Sequence, residues 1–218
     1  ILMDDALAIE LGAPCLGSIT DVFVDADGTK KSISAPGPGN HISMAKAVAA
    51  ASAVAGKDAV REKSFVLAHG SSTPQNRVSE SQIFDQVAKA FNISEWPVVA
   101  VKAYLGHTIA PASADQLAAA LGSFKYGILP GIPTIDAVAD DVYQDRLRLG
   151  PEHHQTAPEN LEVAILNSKG FGGNNASAVV LSPDRTEAML RKRHGDKAMA
   201  VYAKKREGNL EASARYLS

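Results

Sequence analysis

Apolar positions recur along this chain with two different periods, which predict strands interleaved with helices. Strands are predicted where apolar and β-branched residues run into a turn, at 14–24, 161–166 and 176–181. Helices are predicted where apolar residues recur every three or four positions, at 4–10, 41–55, 79–91 and along the stripe Leu117, Leu121, Phe124 and Ile128. The stretch 131–155 has neither period and is predicted to be irregular. The pattern as a whole is typical of an α/β fold.

Capping residues predict where several of these helices begin. Asn40 follows a Gly-Pro-Gly loop and is a candidate N-cap for the second helix. Ser79 and Gln82 have the spacing of a capping box for the helix that follows. Ser182 and Pro183 are predicted to be the N-cap and first residue of a final helix.

Three stretches share one arrangement, in which a short apolar run enters a turn that carries Gly and polar side chains. They are 65–74, 100–111 and 166–177. Open α/β sheets bind their ligands at the carboxyl ends of strands, where such turns lie. The side chains placed there are His69, Lys102, His107 and Asn167. A lone histidine in this position is more often structural, but two of them, each beside a glycine, favour a functional site.

The three turns, in this order, resemble the motifs of a known family. HGSSTP, VKAYLGHT and NSKGFGGNN resemble the carboxyl-terminal half of the β-ketoacyl-acyl-carrier-protein synthases, the condensing enzymes of fatty-acid and polyketide synthesis. The resemblance covers residues 1–182. It implies a thiolase-like fold, in which two similar halves, each a mixed sheet covered by helices, stack as layers α-β-α-β-α. Residues 183–218 are expected to form a charged, helical extension.

The resemblance also implies a reaction, a decarboxylating Claisen condensation between malonyl carrier protein and an acyl thioester. His69 and His107 would donate hydrogen bonds to the malonyl thioester oxygen and stabilise the enolate. Lys102 and Glu80 would form a structural ion pair that supports the site. Phe171 would gate the acyl pocket, and its backbone N–H would complete a second oxyanion hole. The substrate-binding residues implied are Ser71, Thr73, Asn167 and Gly172.

The single cysteine does not match the nucleophile of this family. Condensing enzymes use a cysteine on a sharp turn into a helix, whereas Cys15 follows Pro14 at the start of a predicted strand. We therefore expect Cys15 to be a buried structural thiol and the nucleophile to lie on an amino-terminal half. Residues 1–3 are predicted to be the end of a strand, which favours a chain that is part of a longer protein.

Departures from the family pattern bear on the substrate. Ser71 replaces a threonine, Arg77 stands where many members have aspartate, and Lys169 replaces a phenylalanine two residues before the gate. A lysine near the acyl entrance favours a short, polar or CoA-borne primer, as in a divergent proteobacterial synthase that starts fatty-acid chains.

Other functions stay open at this point. A non-catalytic partner of the chain-length-factor type would share the fold, and so would a polyketide ketosynthase. A stand-alone binding module of the same fold is a third reading. Retention of both His69 and His107 argues against a non-catalytic partner. A thiolase would need a second cysteine in the last motif, where this chain has Lys169 and Phe171.

Composition agrees with a cytoplasmic enzyme. The chain has 218 residues, of which 45% are apolar, and a net charge of −2, so it can bury a core and does not suggest a nucleic-acid partner. One cysteine excludes an internal disulfide and suggests a reducing compartment. The adjacent His153 and His154 are expected to be solvated, and neither a metal nor a soluble cofactor is expected. The implied partners are acyl carrier protein and a second copy, joined through the amino-terminal half.

Overall fold

A computed structural model describes residues 1–28, 37–71 and 73–218. Strands alternate with helices through most of this chain, as the sequence predicted. The elements are, in order, α1 (Asp5–Leu11), β1 (Ser18–Ala26), α2 (Pro38–Ala55), α3 (Lys57–Glu62), β2 (Ser64–Leu67), α4 (Pro74–Phe91), β3 (Trp96–Val99), α5 (Lys102–Leu105), α6 (Ala112–Tyr126), β4 (Ile128–Leu129), β5 (Leu147–Arg148), β6 (His154–Gln155), a 3₁₀ turn (Pro158–Asn160), β7 (Val163–Gly170), β8 (Asn174–Leu181) and α7 (Pro183–Leu217).

The main sheet is mixed. Its strand order is β1-β8-β7-β2-β3-β5, and a separate small sheet pairs β4 with β6. Strand β2 runs parallel to both β7 and β3, and β3 runs parallel to β5. Strands β7 and β8 form an antiparallel hairpin. The carboxyl ends of β2, β3 and β7 therefore meet at one edge of the sheet.

Apolar side chains from the central strands supply a core on each face of this sheet. On one face Val66 and Ile165 pack with buried residues of α2, α3 and α4. On the other face Phe65, Leu67 and Leu166 pack with the buried side of α6. All four residues of β2 are buried, since a central strand covered on both faces has no solvent side. The mixed sheet covered by helices is the architecture predicted from the sequence.

Two helices begin earlier than their sequence patterns predicted. Helix α4 begins at Pro74, because the Oγ1 of Thr73 accepts the backbone N–H of Asn76 and acts as the N-cap. The capping box predicted at Ser79 is therefore wrong. Helix α2 begins at Pro38, one residue after its N-cap Gly37, so Asn40 lies inside the helix and not at its cap.

Smaller differences concern strand ends. The first predicted strand begins at Ser18 and not at residue 14, and residues 1–3 are not in a strand. Helix α6 ends at Tyr126 with Gly127 as its C-cap, so Ile128 belongs to β4 and not to the helical stripe. The predicted irregular stretch 131–155 contains only the two-residue strands β5 and β6.

The described chain divides into two compact units, Ile19–Leu181 and a second unit made of Ile1–Ser18 with Ser182–Ser218. The domain boundary expected after residue 182 stays a prediction. In the second unit, α7 is interrupted at Gly195, whose φ of 80° and ψ of 163° are not helical. The interruption divides α7 into a first arm before Gly195 and a second arm after it. A salt bridge from Arg206 to Glu187 at 3.2 Å joins the two arms.

Helix α1 is held at its carboxyl end by the second arm of α7. Lys205 donates to the carbonyl of Glu10 at 2.7 Å, and the side-chain amide of Asn209 donates to the carbonyls of Leu11 and Gly12. These donors satisfy carbonyls that have no partner inside the helix. Gly12 has a φ of 66°, and a Cβ there would lie 2.5 Å from the Cβ of Lys205, so both backbone and packing require glycine.

A small apolar cluster lies inside this second unit. Leu190, Met199 and Tyr202 are buried and pack with Ile9 and Cys15. Met199 is buried, whereas Met189 on the same helix is 39% exposed. In the described part of the chain, no helix combines the length and apolar character needed to cross a membrane.

Slow alkylation of Cys15 is expected from its surroundings. Burial raises the pKa of its thiol, which leaves less thiolate at neutral pH. Iodoacetamide should therefore react at least about tenfold more slowly with the folded chain than with the chain in urea, as followed by mass spectrometry. Equal rates in the two states would contradict a structural role for this thiol.

Candidate active site

The structure brings the predicted polar side chains together at the edge where β2, β3 and β7 end. His69 follows β2, Lys102 begins α5 shortly after β3, and Asn167 lies within the last part of β7. His107 follows α5, and its ring centroid lies 5.3 Å from that of His69, with the rings at 82° to each other. Position 72 of the first motif lies outside the described residues.

The carboxylate of Glu80 is the centre of this cluster. Its side chain is only 4% exposed and accepts four N–H groups. Oε1 accepts the backbone N–H of His69 at 2.7 Å and the amide of Asn167 at 2.7 Å. Oε2 accepts the backbone N–H of Gly70 at 3.0 Å and the amide of Asn76 at 2.9 Å. A buried carboxylate needs such donors, because leaving it without them costs several kcal/mol.

Lys102 supports the same backbone from its other side. Its ammonium donates to the carbonyl of His69 at 2.5 Å, and not to the carboxylate of Glu80. The direct ion pair predicted between these two residues is therefore replaced by an arrangement in which Glu80 binds the N–H of His69 and Lys102 binds its C=O. Burial lowers the pKa of Lys102, and the charges of Glu80 and Asp115 oppose that shift.

Both imidazole rings accept a backbone N–H on Nδ1. The N–H of Lys169 lies 3.3 Å from Nδ1 of His69, and the N–H of Ile109 lies 3.0 Å from Nδ1 of His107. In a neutral ring an accepting Nδ1 assigns the proton to Nε2. Each ring can therefore donate one hydrogen bond from Nε2. Because the two ring centroids lie only 5.3 Å apart, both donors belong to the same small part of the site.

His69 is held neutral. Burial lowers its pKa to about 4, and the charges of Lys102, His107 and Lys169 act in the same direction, while the charge of Glu80 opposes them. At neutral pH the ring is therefore a hydrogen-bond donor and not a general acid.

A buried amide pair that sequence reasoning missed links Asn167 to helix α2. The Nδ2 of Asn40 donates to Oδ1 of Asn167 at 2.6 Å, and both side chains are at most 1% exposed. Asn40 was predicted only as a cap. The signal available was its spacing, because Asn40 lies on the same helical face as the buried residues Ser43, Met44 and Ala47.

Gln116 was also missed. Its Nε2 lies within hydrogen-bond distance of three carbonyl oxygens, those of Leu67 at 3.2 Å, Ala68 at 2.7 Å and Asn167 at 2.9 Å. It thus joins the ends of β2 and β7, the strands that carry His69 and Asn167. Of the stripe predicted along this helix, Phe124 is buried and Leu117 and Leu121 pack partly buried against the same core. The other buried positions of the helix are Ala112, Gln116, Ala120 and Ser123.

The remaining predicted residues lie in the turn between β7 and β8 and in the segment between β2 and α4. Phe171 is 85% exposed in the turn between β7 and β8, and Gly172 beside it has a φ of 79°. Thr73 is exposed and its hydroxyl caps α4, and Ser71 is partly buried. The roles predicted for these four residues stay predictions.

Two further residues are departures from the family pattern. Lys169 is 7% exposed, with its ammonium within 3.5 Å of the Oγ of Ser79, and its place near an acyl entrance stays a prediction. Arg77 forms an exposed, bidentate salt bridge with Asp141. Among the described His, Cys, Asp and Glu side chains, no group of three or more could hold a metal ion.

Comparison with solved structures defines the class of protein. The crystal structure of the noncanonical ketosynthase FabY from Pseudomonas aeruginosa matches with a TM-score of 0.93 at 63% identity, covering 98% of this chain and 33% of that chain. A beta-ketoacyl synthase from Burkholderia phymatum matches with a TM-score of 0.61 at 26% identity, over 81% of this chain and 40% of that one. The fold is therefore the thiolase-like fold predicted from the sequence.

The family follows from the sequence itself. Residues 16–136 match the family described as beta-ketoacyl synthase, C-terminal domain, and the chain belongs to that family. The beta-ketoacyl-[acyl-carrier-protein] synthase FabY of P. aeruginosa is 63% identical over 217 residues, which are 99% of this chain and 34% of that protein. The chain thus spans about a third of that relative's length. The family predicted from the three motifs is confirmed.

Removing the carboxylate of Glu80 should strongly destabilise the chain. Glu80→Ala leaves four N–H donors without their acceptor, and we expect a loss of roughly 3 to 5 kcal/mol in the free energy of unfolding. Urea denaturation followed by circular dichroism measures it. The control is Glu95→Ala at an exposed position, expected within about 0.5 kcal/mol of wild type. A similarly small effect for Glu80→Ala would contradict the central role of this carboxylate.

The lowered pKa of His69 makes stability depend on pH. Between pH 6.5 and about 4 the unfolded chain binds a proton at this ring that the folded chain does not bind. The free energy of unfolding should therefore fall as the pH is lowered through that window, by at most about 1.4 kcal/mol per pH unit from this residue. His69→Gln should lose this part of the slope. Identical slopes for the two chains would show that His69 titrates normally.

Proposed function

We propose that this chain carries the malonyl half-site of a 3-oxoacyl-[acyl-carrier-protein] synthase. The observation that carries the proposal is the pair of imidazoles, each accepting a backbone N–H on Nδ1 and leaving Nε2 to donate, whose ring centroids lie 5.3 Å apart at the sheet edge. Two N–H donors on neighbouring rings suit an oxygen that gains negative charge during the reaction. The P. aeruginosa relative is a beta-ketoacyl-[acyl-carrier-protein] synthase, which supports the same activity.

In the proposed reaction the thioester oxygen of a malonyl group accepts both Nε2–H groups. The bond between the malonyl α-carbon and its carboxylate breaks, carbon dioxide leaves, and the electron pair forms an enolate on that oxygen. The α-carbon then attacks the carbonyl of an acyl thioester and displaces a thiolate. His69 and His107 stabilise the enolate without moving a proton, and Lys102 and Glu80 hold the backbone of His69 in place.

The acyl group in this proposal waits on a cysteine that is not Cys15. Burial raises the pKa of Cys15, which is unsuited to a nucleophile. We propose that the nucleophilic cysteine and the surface that joins two copies belong to sequence corresponding to the rest of the longer relatives. The proposed setting is cytoplasmic fatty-acid synthesis.

Further residues complete the proposed site. Ser71 and Thr73 would contact the phosphopantetheine arm of acyl carrier protein, and Asn167 and Gly172 would line the substrate path. The exposed ring of Phe171 would cover the acyl pocket, and its backbone N–H would help bind the second oxyanion.

A hybrid protein tests this function. The chain replaces the matching third of the P. aeruginosa relative, and malonyl carrier-protein decarboxylation is measured by release of labelled carbon dioxide. His69→Ala or His107→Ala should lower the rate by roughly 10² to 10³, the usual loss for one oxyanion donor. Transfer of the acyl group to the cysteine should be less affected.

The matched control is His153→Ala, because His153 also accepts a backbone N–H on Nδ1, from Gly131, but lies in a loop after β5. It should keep the wild-type rate. A hybrid that decarboxylates equally well without either His69 or His107 would exclude the proposed roles. A hybrid that binds malonyl carrier protein but never decarboxylates it would favour a non-catalytic partner.

A further inference from the structure

The loop that carries His107 has a strained backbone and needs an anchor. Residues 106–111 are all exposed, so burial alone does not fix their conformation. Ile109 in this loop has a φ of 68°, which a β-branched residue rarely adopts without support from its surroundings. The N–H that faces Nδ1 of His107 belongs to the peptide that joins Thr108 to Ile109. A contact that fixes this peptide therefore also fixes the ring.

Thr108 supplies such a contact through its side chain. Its hydroxyl donates to Oδ2 of Asp115 at 2.5 Å, a short distance that is typical of a hydroxyl bound to an ionised carboxylate. A hydrogen bond to a charged acceptor is roughly twice as strong as one between neutral groups. The contact joins two side chains, so it depends on which residue types stand at both positions.

Asp115 provides this contact from a rigid support. It lies in the first turn of α6, where the helix dipole favours a negative charge. The next residue, Gln116, is 1% exposed, and its Nε2 lies within hydrogen-bond distance of carbonyls near the ends of β2 and β7. Further along the helix, Ala120 and Phe124 are buried in the core. The carboxylate of Asp115 is therefore fixed relative to the sheet edge, and Thr108 is tied to it.

We propose that Thr108 and Asp115 are positioning residues of the malonyl half-site, whose side-chain hydrogen bond holds the N–H of Ile109 on Nδ1 of His107. This inference rests on the proposed function. The bond ties the strained loop to α6, and the occupied Nδ1 leaves Nε2 of His107 to donate to the enolate oxygen. Without the hydroxyl or the carboxylate, Ile109 can relax to a negative φ, which turns its N–H away from the ring.

A mutant cycle in the hybrid protein tests whether Thr108 acts through His107. Thr108→Val removes the hydroxyl at nearly constant volume. We expect it to lower malonyl decarboxylation by roughly 10- to 100-fold, a smaller loss than removal of the ring itself causes. In the His107→Ala background the same change should have no further effect on the rate, because no ring remains to be positioned.

Three matched variants separate positioning from other effects. Thr108→Ser keeps the hydroxyl and should restore most of the wild-type rate. Asp115→Ala should give at least the loss seen in Thr108→Val, because the charge of Asp115 also opposes the lowered pKa of Lys102. Adding Thr108→Val to Asp115→Ala should lower the rate no further. Thr156→Val is the control, since the Thr156 hydroxyl also makes a side-chain hydrogen bond, to Asn160, and its loss should leave the rate unchanged.

The ring of His107 gives a second measurement that needs no substrate. In hybrid protein with ¹⁵N-labelled histidine, at a pH about two units above the ordinary histidine pKa, the nitrogen shifts show which ring nitrogen carries the proton. The variant His107→Gln identifies the signals of this ring. Wild type and Thr108→Ser should carry the proton on Nε2, whereas Thr108→Val should show a mixture of both tautomers. The signals of His153, which accepts the N–H of Gly131, should stay the same.

Each outcome decides one part of the inference. A wild-type rate in folded Thr108→Val overturns the role in the reaction, and so does an equal loss in the His107→Ala background. An unchanged tautomer in Thr108→Val overturns the positioning of the ring. If the melting curve shows that Thr108→Val does not fold, Asp115→Ala gives the same decisions. A wild-type hybrid without decarboxylation defeats the proposed function, whereas the nitrogen shifts still decide whether Thr108 and Asp115 position His107.

Discussion

The carboxylate of Glu80 is the interaction on which the rest of the site depends. It accepts four N–H groups that come from the segment after β2, from α4 and from β7. A buried charge cannot give up such partners without a large cost, so these three parts of the chain are fixed relative to one another. One of the donors is the backbone N–H of His69. The carboxylate of Glu80 therefore helps to position the His69 ring without contacting the ring itself.

The site as a whole is a polar layer placed at the end of an apolar sheet. Below it, Val66, Phe65 and Leu67 fill the core on both faces with no polar group to satisfy. Near the ends of β2 and β7, the Nε2 of Gln116 lies within hydrogen-bond distance of three backbone carbonyls. Ends of parallel strands are a place where such polar side chains can gather.

The sequence predicted the members of this layer better than their contacts. A glycine turn after an apolar run is a local signal, and it correctly located His69, Lys102, His107 and Asn167 at one sheet edge. The partner of a buried group is set by tertiary packing, so the sequence did not show that Lys102 binds a carbonyl or that Asn40 binds Asn167. The start of α4 was misplaced because a Thr-Pro pair at Thr73 outcompetes the capping box further along.

Both histidines leave Nε2 as the donor, but the surroundings of the two rings differ. The ring of His69 is buried among charges, whereas His107 is exposed and depends on the N–H of Ile109. Ile109 has a φ of 68°, which for a β-branched residue costs about 1 to 3 kcal/mol. A glycine would adopt this conformation without strain. The fold instead tolerates the backbone strain of Ile109, whose N–H faces Nδ1 of His107. The backbone N–H groups of Ile109 and Lys169 thus have the same effect, since each occupies an Nδ1 and leaves an Nε2–H free to donate at the same sheet edge.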